Sequence, residues 1–190
     1  MKKIMLLGLF LGVILSQSLL GATNVHLHGQ AQLNLVVDEE HISMALSAPA
    51  MTLIGFEHEP RTDEEKNAIK TVTQTLNELH LFAFYEKKRF LRKPRLLQLQ
   101  RLYSNAELHH DNHQKDTHTQ TNENIQHSHS PHIEFKLNVR YKQDPGNNVA
   151  LISTELFNHF KDLHNIVVTI FSNDIQTQQV LSPNHAKVRI

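Results

Sequence analysis

The sequence contains no cysteine among its 190 residues. Disulfides and thiolate metal sites are therefore both excluded, and any bound metal ion must be held by nitrogen and oxygen ligands. Very tight structural zinc sites usually use thiolates, so this absence also argues against a site of that kind.

Long apolar runs are also absent from the N-terminus. The apolar run from Ile4 to Leu15 has only 12 residues, whereas a membrane-spanning helix needs roughly 20. It follows two lysines and precedes small residues, which is the pattern of a secretory signal peptide. We predict a signal peptide over residues 1–22, with cleavage after Ser18 or Ala22, and a retained membrane anchor is the weaker interpretation.

Neither sign of charge is in excess, because 19 basic residues balance 19 acidic ones. The basic run at 86–95 is expected to be a solvated edge strand or loop, so nucleic acid is not an expected partner. The sequence also lacks a His-Glu-x-x-His motif, a glycine-rich phosphate loop and a nucleophile–base arrangement. We therefore expect that the protein is not an enzyme, since a zinc hydrolase needs three fixed ligands, an open position and a base.

Alternation of apolar and polar residues predicts a β-rich body. The alternation is strict over 133–141, and the two runs 25–38 and 41–47 predict a hairpin. Further strands are predicted over 81–85, 149–153, 165–172, 176–181 and 187–190. Residues 49–60 are predicted to be a loop, and residues 96–103 are compatible with either strand or helix.

Two helices are predicted among the strands. Thr62 and Glu65 have the spacing of a capping box, and apolar residues then recur every 3.6 residues, which predicts a helix over 63–80. A shorter amphipathic helix is predicted over 154–161. With about one helix in each half of the chain, the fold class is predicted to be α+β with antiparallel sheets.

The chain is predicted to have four parts. After the signal peptide, β-rich halves over 23–104 and 132–190 flank a linker over 105–131. The linker has almost no apolar residue except Leu108 and Ile125. A segment that cannot bury itself does not fold alone, so the linker is predicted to be disordered.

The outlines of the two halves suggest an internal repeat. Each half begins with a histidine-bearing segment that leads into an alternating strand, although residue identity between the halves is poor. If the repeat holds, His28 and His132 would converge on one metal ion.

Histidine is abundant in the part of the chain that lacks apolar residues, where seven of the fifteen histidines fall within 24 residues. These seven are His109, His110, His113, His118, His127, His129 and His132. Neutral imidazole is a common ligand of zinc, and neighbouring carboxylates complete or orient such sites. Because flexible ligands lose entropy when they are ordered, we predict several weak to moderate metal sites here. The alternative is a polar linker without a metal role.

Two further groups are candidate metal ligands near the start of the mature chain. His26 and His28 share a face if the chain is extended, and Gly29 allows another backbone or a ligand to approach; the alternative is a pair of exposed histidines at a strand start. Glu57 and His58 form the second group, either as a ligand with its supporting carboxylate or as a structural turn. We therefore add His26, His28 and His58 to the predicted metal ligands.

Three motifs together point to a known family. The chain has His-Gly-Gln-Ala-Gln-Leu at 28–33, Ser-Ala-Pro-Ala at 47–50 and Gly-Phe-Glu-His at 55–58, followed later by the histidine-rich linker and a histidine-led strand. In these features it resembles the ZrgA-like zinc-uptake family over nearly the whole mature chain. Members of that family tend to carry cysteines, so the absence of cysteine here puts any family-shared disulfide in doubt.

The resemblance implies a periplasmic zinc-binding protein of Gram-negative bacteria that captures zinc through its histidine-rich loop. Its implied partner is a component of a high-affinity zinc ABC transporter, which it assists under zinc scarcity. The alternative is a periplasmic storage or detoxification protein for nickel or copper, because the same imidazoles bind those metals. The membrane is expected to be involved only through the cleaved signal peptide.

Overall fold

The computed structural model describes residues 27–78, 80–86, 93–111, 132–144, 146–173 and 175–190. The elements in these ranges are β1 Gln30–Val37, β2 His41–Pro49, α1 Ala50–Ile54, α2 Asp63–Glu78, β3 Phe82–Glu86, β4 Arg95–Leu97, β5 Gln100–Asp111, β6 His132–Lys142, β7 Val149–Thr154, α3 Leu156–His159, β8 Asn165–Ser172, β9 Ile175–Leu181 and β10 Lys187–Arg189. No helix within these ranges is both long and apolar enough to cross a membrane. The signal peptide predicted over 1–22 lies outside the described residues.

The strands form two sheets that share one hydrophobic core. The larger sheet has the order β5-β6-β2-β1-β8-β9, and the smaller has the order β10-β7-β3-β4. Alternating apolar residues of both sheets are buried together, because a strand places every second side chain on the same face. Phe84 of β3 meets Tyr141 of β6 edge to face, with ring centroids 4.6 Å apart, and so joins the two sheets.

The predicted α+β class and its mainly antiparallel pairing are confirmed, with one exception. β1 and β8 pair in parallel, from Gln30 with Asn165 to Val37 with Ser172. The prediction missed this pair because it relied on hairpins, and a parallel pair is made only through a long crossover. Each sheet also contains strands from both sides of the histidine-rich segment, and the internal repeat is not confirmed.

One short helix lies in the segment that was predicted to be a loop. Helix α1, Ala50–Ile54, follows Pro49 directly and ends at Gly55, whose φ of 83° is left-handed. Proline is favoured at helix starts and glycine just after helix ends, so both ends match common sequence signals. The run was too short for helical periodicity to be recognised.

The capping box predicted at the start of α2 is confirmed. The backbone N–H of Glu65 donates to Thr62 Oγ1 over 3.2 Å, and the Glu65 carboxylate accepts from the backbone N–H groups of Thr62 and Arg61. The N–H of Arg61, at 2.6 Å, is the main reason that the pKa of Glu65 lies below its ordinary value of 4.5. The ionised carboxylate therefore stabilises the first turn of α2.

The stabilising effect of Glu65 should depend on pH with a defined sign. Because its pKa is lower in the folded state, ionised Glu65 stabilises the fold above its unfolded-state pKa, and this stabilisation is lost as the pH falls through the folded pKa. Glu65→Gln should therefore be less stable than wild type at about pH 7, and the difference should shrink toward about pH 3. Urea denaturation across this range measures it, with Glu39→Gln in the exposed β1–β2 turn as the control. A difference that stays constant with pH would contradict the expectation.

Strand β5 extends into the segment that was predicted to be a disordered linker. β5 runs to Asp111, β6 begins at His132, and these two residues are paired in the antiparallel register. Residues 105–111 are therefore strand, which composition did not indicate because the pairing is made by backbone groups. The rest of the predicted linker, 112–131, lies outside the described residues and connects two paired strands.

Candidate metal centre

All six strands of the larger sheet begin or end at the same end of the sheet. β1, β6 and β8 begin there, and β2, β5 and β9 end there, as their registers show. The histidines at or beside these strand ends are His28, His109, His110, His132 and His164. We call this region the histidine end. Strand topology thus collects histidines that are far apart in sequence, and it brings both ends of segment 112–131 to the same place.

The β5–β6 pair places a carboxylate residue beside a histidine at this end. His109 is directly paired with Glu134 in the antiparallel register, and Asp111 is paired with His132. Directly paired residues in antiparallel strands have Cβ atoms about 5 Å apart. The side chains of His109 and Glu134 therefore lie next to each other on the same face of the sheet.

The carboxylate of Glu134 is held in place by two neighbours. Its residue is only 7% exposed. Ser47 Oγ donates to Oε2 over 2.5 Å, and Lys136 Nζ lies 2.7 Å from Oε1. Both oxygens are thus engaged, and the ammonium group of Lys136 compensates the buried charge. A carboxylate fixed beside a histidine is the group that commonly orients a metal-binding imidazole.

Gly29 anchors the segment that precedes β1. Its N–H donates to Thr52 Oγ1 over 3.1 Å, and its carbonyl accepts from the N–H groups of His164 at 2.8 Å and Asn165 at 3.0 Å. Its φ is 78°, and a Cβ at this position would lie 2.8 Å from His164 Cδ2 and 3.2 Å from the carbonyl oxygen of Asp162. The prediction that Gly29 permits a close approach is confirmed, and the approaching groups belong to the protein itself.

His28 lies next to this anchor and is presented to solvent. Its side chain is 68% exposed, and its Nδ1 lies 3.9 Å from Oε1 of Glu57, whose side chain is 19% exposed. An exposed imidazole beside a carboxylate is a pair that a divalent cation can bind. His26, the other histidine predicted in this group, lies outside the described residues.

His58 has contacts that correspond to the structural alternative. Its Nδ1 lies 2.9 Å from the carbonyl oxygen of Glu59, and its Nε2 lies 3.6 Å from Oε1 of the capping residue Glu65. The ring stacks on Phe56 with centroids 5.0 Å apart. These contacts stabilise the loop between α1 and α2. Although Glu57 and His58 are adjacent in sequence, Glu57 contacts His28 and His58 contacts Glu65.

The described residues contain pairs of potential ligands but no complete site. No group of three or more histidine, aspartate or glutamate side chains in the described ranges could hold a metal ion. The predicted ligands His113, His118, His127 and His129 lie outside these ranges. An ion bound at the histidine end would therefore require ligands in addition to the pairs described above.

Sequence reasoning assigned no role to His164, which the fold places at the histidine end. The available signal was weak: His164 stands immediately before one predicted strand and His28 lies within another near its start, but nothing in the sequence shows that the two strands are neighbours. Their proximity depends on the parallel pairing of β1 with β8 and on the contact between Gly29 and His164. Neither relation is visible in local sequence.

The chain matches the family model described as ZrgA family zinc uptake protein over residues 25–190. No curated protein matches the chain. The matched range includes both sheets, all of the histidine end and the whole of segment 112–131.

Proposed function

This chain belongs to the ZrgA family of zinc uptake proteins, and from that premise we propose that it captures zinc in the periplasm and assists a high-affinity zinc importer. Segment 112–131 and the histidine end are the proposed capture surface. The activity is binding and transfer of the ion rather than catalysis. Export through the signal peptide at 1–22 is part of the proposal, because it brings the chain to the compartment where zinc enters.

One observation supports the capture surface above all others. β5 and β6 deliver both ends of a histidine-rich segment to the sheet end that carries His28, His109 and His164. Ligands in the segment are thereby tethered within reach of ligands on the sheet. Tethering raises the effective concentration of one ligand group around the other, so an ion caught by the segment can gain a ligand from the sheet.

The donor set suits reversible binding. Without cysteine, the ion would be held by imidazole and carboxylate groups, which bind zinc but do not discriminate it strongly from nickel or copper. The assignment of zinc therefore comes from the family. Sites without thiolates are usually not of the very tight structural kind, and moderate affinity allows the ion to be released to an importer.

Replacing residues 112–131 with a glycine–serine segment of equal length should abolish most zinc binding. The structure sets these bounds, because β5 is complete at Asp111 and β6 begins at His132. The replacement removes four histidines, so calorimetric titration should show several ions on the wild type and about one or none on the variant. Cells that carry the variant should also grow more slowly than wild type when zinc is chelated.

The matched control keeps His113, His118, His127 and His129 and replaces the other residues of the segment with glycine and serine. It should bind zinc with nearly the wild-type stoichiometry. Unchanged stoichiometry in the full replacement would show that the segment is not the capture site. A growth defect that added zinc does not correct would argue against a role in uptake.

A further inference from the structure

Within the described residues, the two sheets end in four edge strands, and three of them are blocked against further pairing. An edge strand presents unpaired backbone N–H and C=O groups that can pair with another chain. Natural proteins block such edges with short strands, charged residues, bulges or covering groups. The edges here are β5 and β9 in the larger sheet and β10 and β4 in the smaller.

The β5 edge is blocked by a side chain of α2. The amide of Asn77 accepts from the backbone N–H of Ala106 over 2.8 Å and donates to the carbonyl of the same residue over 3.4 Å. Nη1 of Arg101 donates to the Asn77 carbonyl over 2.9 Å, and the register of β5 shifts between Arg101 and Tyr103. A partner strand would have to displace these bonds and accommodate the bulge.

The edges of the smaller sheet are blocked in a similar way. β10 has only three residues, and the side-chain amide of Gln179 accepts from the N–H of Arg189 over 3.1 Å and donates to its carbonyl over 2.7 Å. β4 also has only three residues and carries Arg95, which is paired with the buried Glu86. Neither edge offers a long free strand.

Strand β9 has none of these features. It runs for seven residues, Ile175–Leu181, and keeps one regular register with β8 along its whole length. It contains no charged residue and no proline, and no described strand pairs with its other edge. Ile175 and Val180 are 64% and 61% exposed. β9 is therefore a long, neutral and regular edge with apolar side chains in solvent.

We propose that β9 pairs with β9 of a second copy of this chain, antiparallel across a two-fold axis, so that two six-stranded sheets join into one. A two-fold axis makes the same strand meet itself in the antiparallel sense. Full overlap places Gln178 opposite its own copy and Ile175 opposite Leu181. Because β9 itself carries no charged residue, self-pairing places no like charges directly opposite each other in the two strands, and the partner strand covers apolar groups that are otherwise exposed.

This arrangement has two physical consequences. The Leu181 end of β9 lies at the histidine end of the sheet, since Leu181 pairs with Ile166 near the start of β8. Antiparallel pairing therefore directs the two histidine ends of the dimer away from each other, and zinc binding per chain is independent of dimer formation. A single seven-residue strand pair is also a small interface, so the dimer dissociates on dilution.

Sedimentation equilibrium of the mature chain over a range of concentrations tests the proposal. The wild-type mass should rise toward twice that of the monomer. Gln178→Lys and Gln178→Glu should each weaken the dimer about fivefold, because like charges then face each other at the axis. An equimolar mixture of the two variants should pair about tenfold more tightly than either variant alone.

Asn34→Lys is the matched control, since Asn34 is an exposed residue in the central strand β1 of the same sheet. It should leave the dimer unchanged. A wild type that stays monomeric at every concentration would overturn the proposal. So would a dimer that neither charge at position 178 weakens, or a mixture that fails to recover pairing. Zinc stoichiometry does not enter these measurements, so their failure would leave the proposed function standing.

Discussion

Zinc affinity should fall about a hundredfold between about pH 7.5 and about pH 5.5 for an ion held by two imidazoles of segment 112–131. An ordinary imidazole titrates near pH 6.5, and the protonated ring cannot bind a metal. At the lower pH each of the two rings must release a proton before it can bind the ion. Each ring lowers the affinity about tenfold over this range, and the two losses multiply to about a hundredfold. A third imidazole would lower the affinity about tenfold more.

Competition with a chromophoric chelator of known pH dependence measures this loss. The chain with the glycine–serine replacement serves as the control, and its residual affinity should vary less steeply with pH. A change smaller than about threefold in the wild type would mean that carboxylates rather than imidazoles carry the binding, since carboxylates are ionised throughout this range. That result would leave membership of the family intact and remove histidine from the capture mechanism.

Gly29→Ala should lower the free energy of unfolding by about 2–4 kcal/mol. A φ of 78° is strained for any residue with a Cβ, which costs about 1–3 kcal/mol. The new Cβ would also lie 2.8 Å from His164 Cδ2, so either the ring or the strand start must move. The anchor that joins β1, α1 and β8 at the histidine end would be loosened. Urea denaturation followed by circular dichroism measures the change.

Gly55→Ala is the matched control for this substitution. Gly55 has a φ of 83°, but a Cβ there would meet nothing within 4 Å. It should therefore show only the backbone strain, and the difference between the two variants measures the contact with His164. The double variant Gly29→Ala/His164→Ala should recover part of the loss. Equal losses in the Gly29 and Gly55 variants would show that the close contact is not energetically important.

Most individual elements were predictable because their signals are local. The alternation over 133–141 predicted β6, the apolar run over 165–172 predicted β8, and the Thr62–Glu65 spacing predicted the start of α2. Side-chain direction along a strand and hydrogen bonding at a helix start depend on residues within a few positions of each other. Such relations are present in any short window of sequence.

Relations between distant strands were not predictable in the same way. The parallel pairing of β1 with β8 joins residues that are far apart in sequence, and no turn between them sets their direction. The continuation of β5 to Asp111 was missed because its end is polar and is ordered by the backbone of β6. The parallel pair and the extension of β5 both depend on which strands pair with each other. That pairing is determined by the burial of apolar residues over the whole core.

The amino-acid sequence by itself determined the chemistry available for binding. The absence of cysteine and the abundance of histidine restrict any metal ion to nitrogen and oxygen ligands, because ligand type is a property of the side chain alone. Only the tertiary structure decided which of these groups lie together. It placed His28, His109 and His164 at one end of a sheet, set His164 against Gly29 and left β9 as an edge with which no described strand pairs. These arrangements arise from long-range strand pairing, whose free energy is summed over the entire core and is not encoded in any single segment.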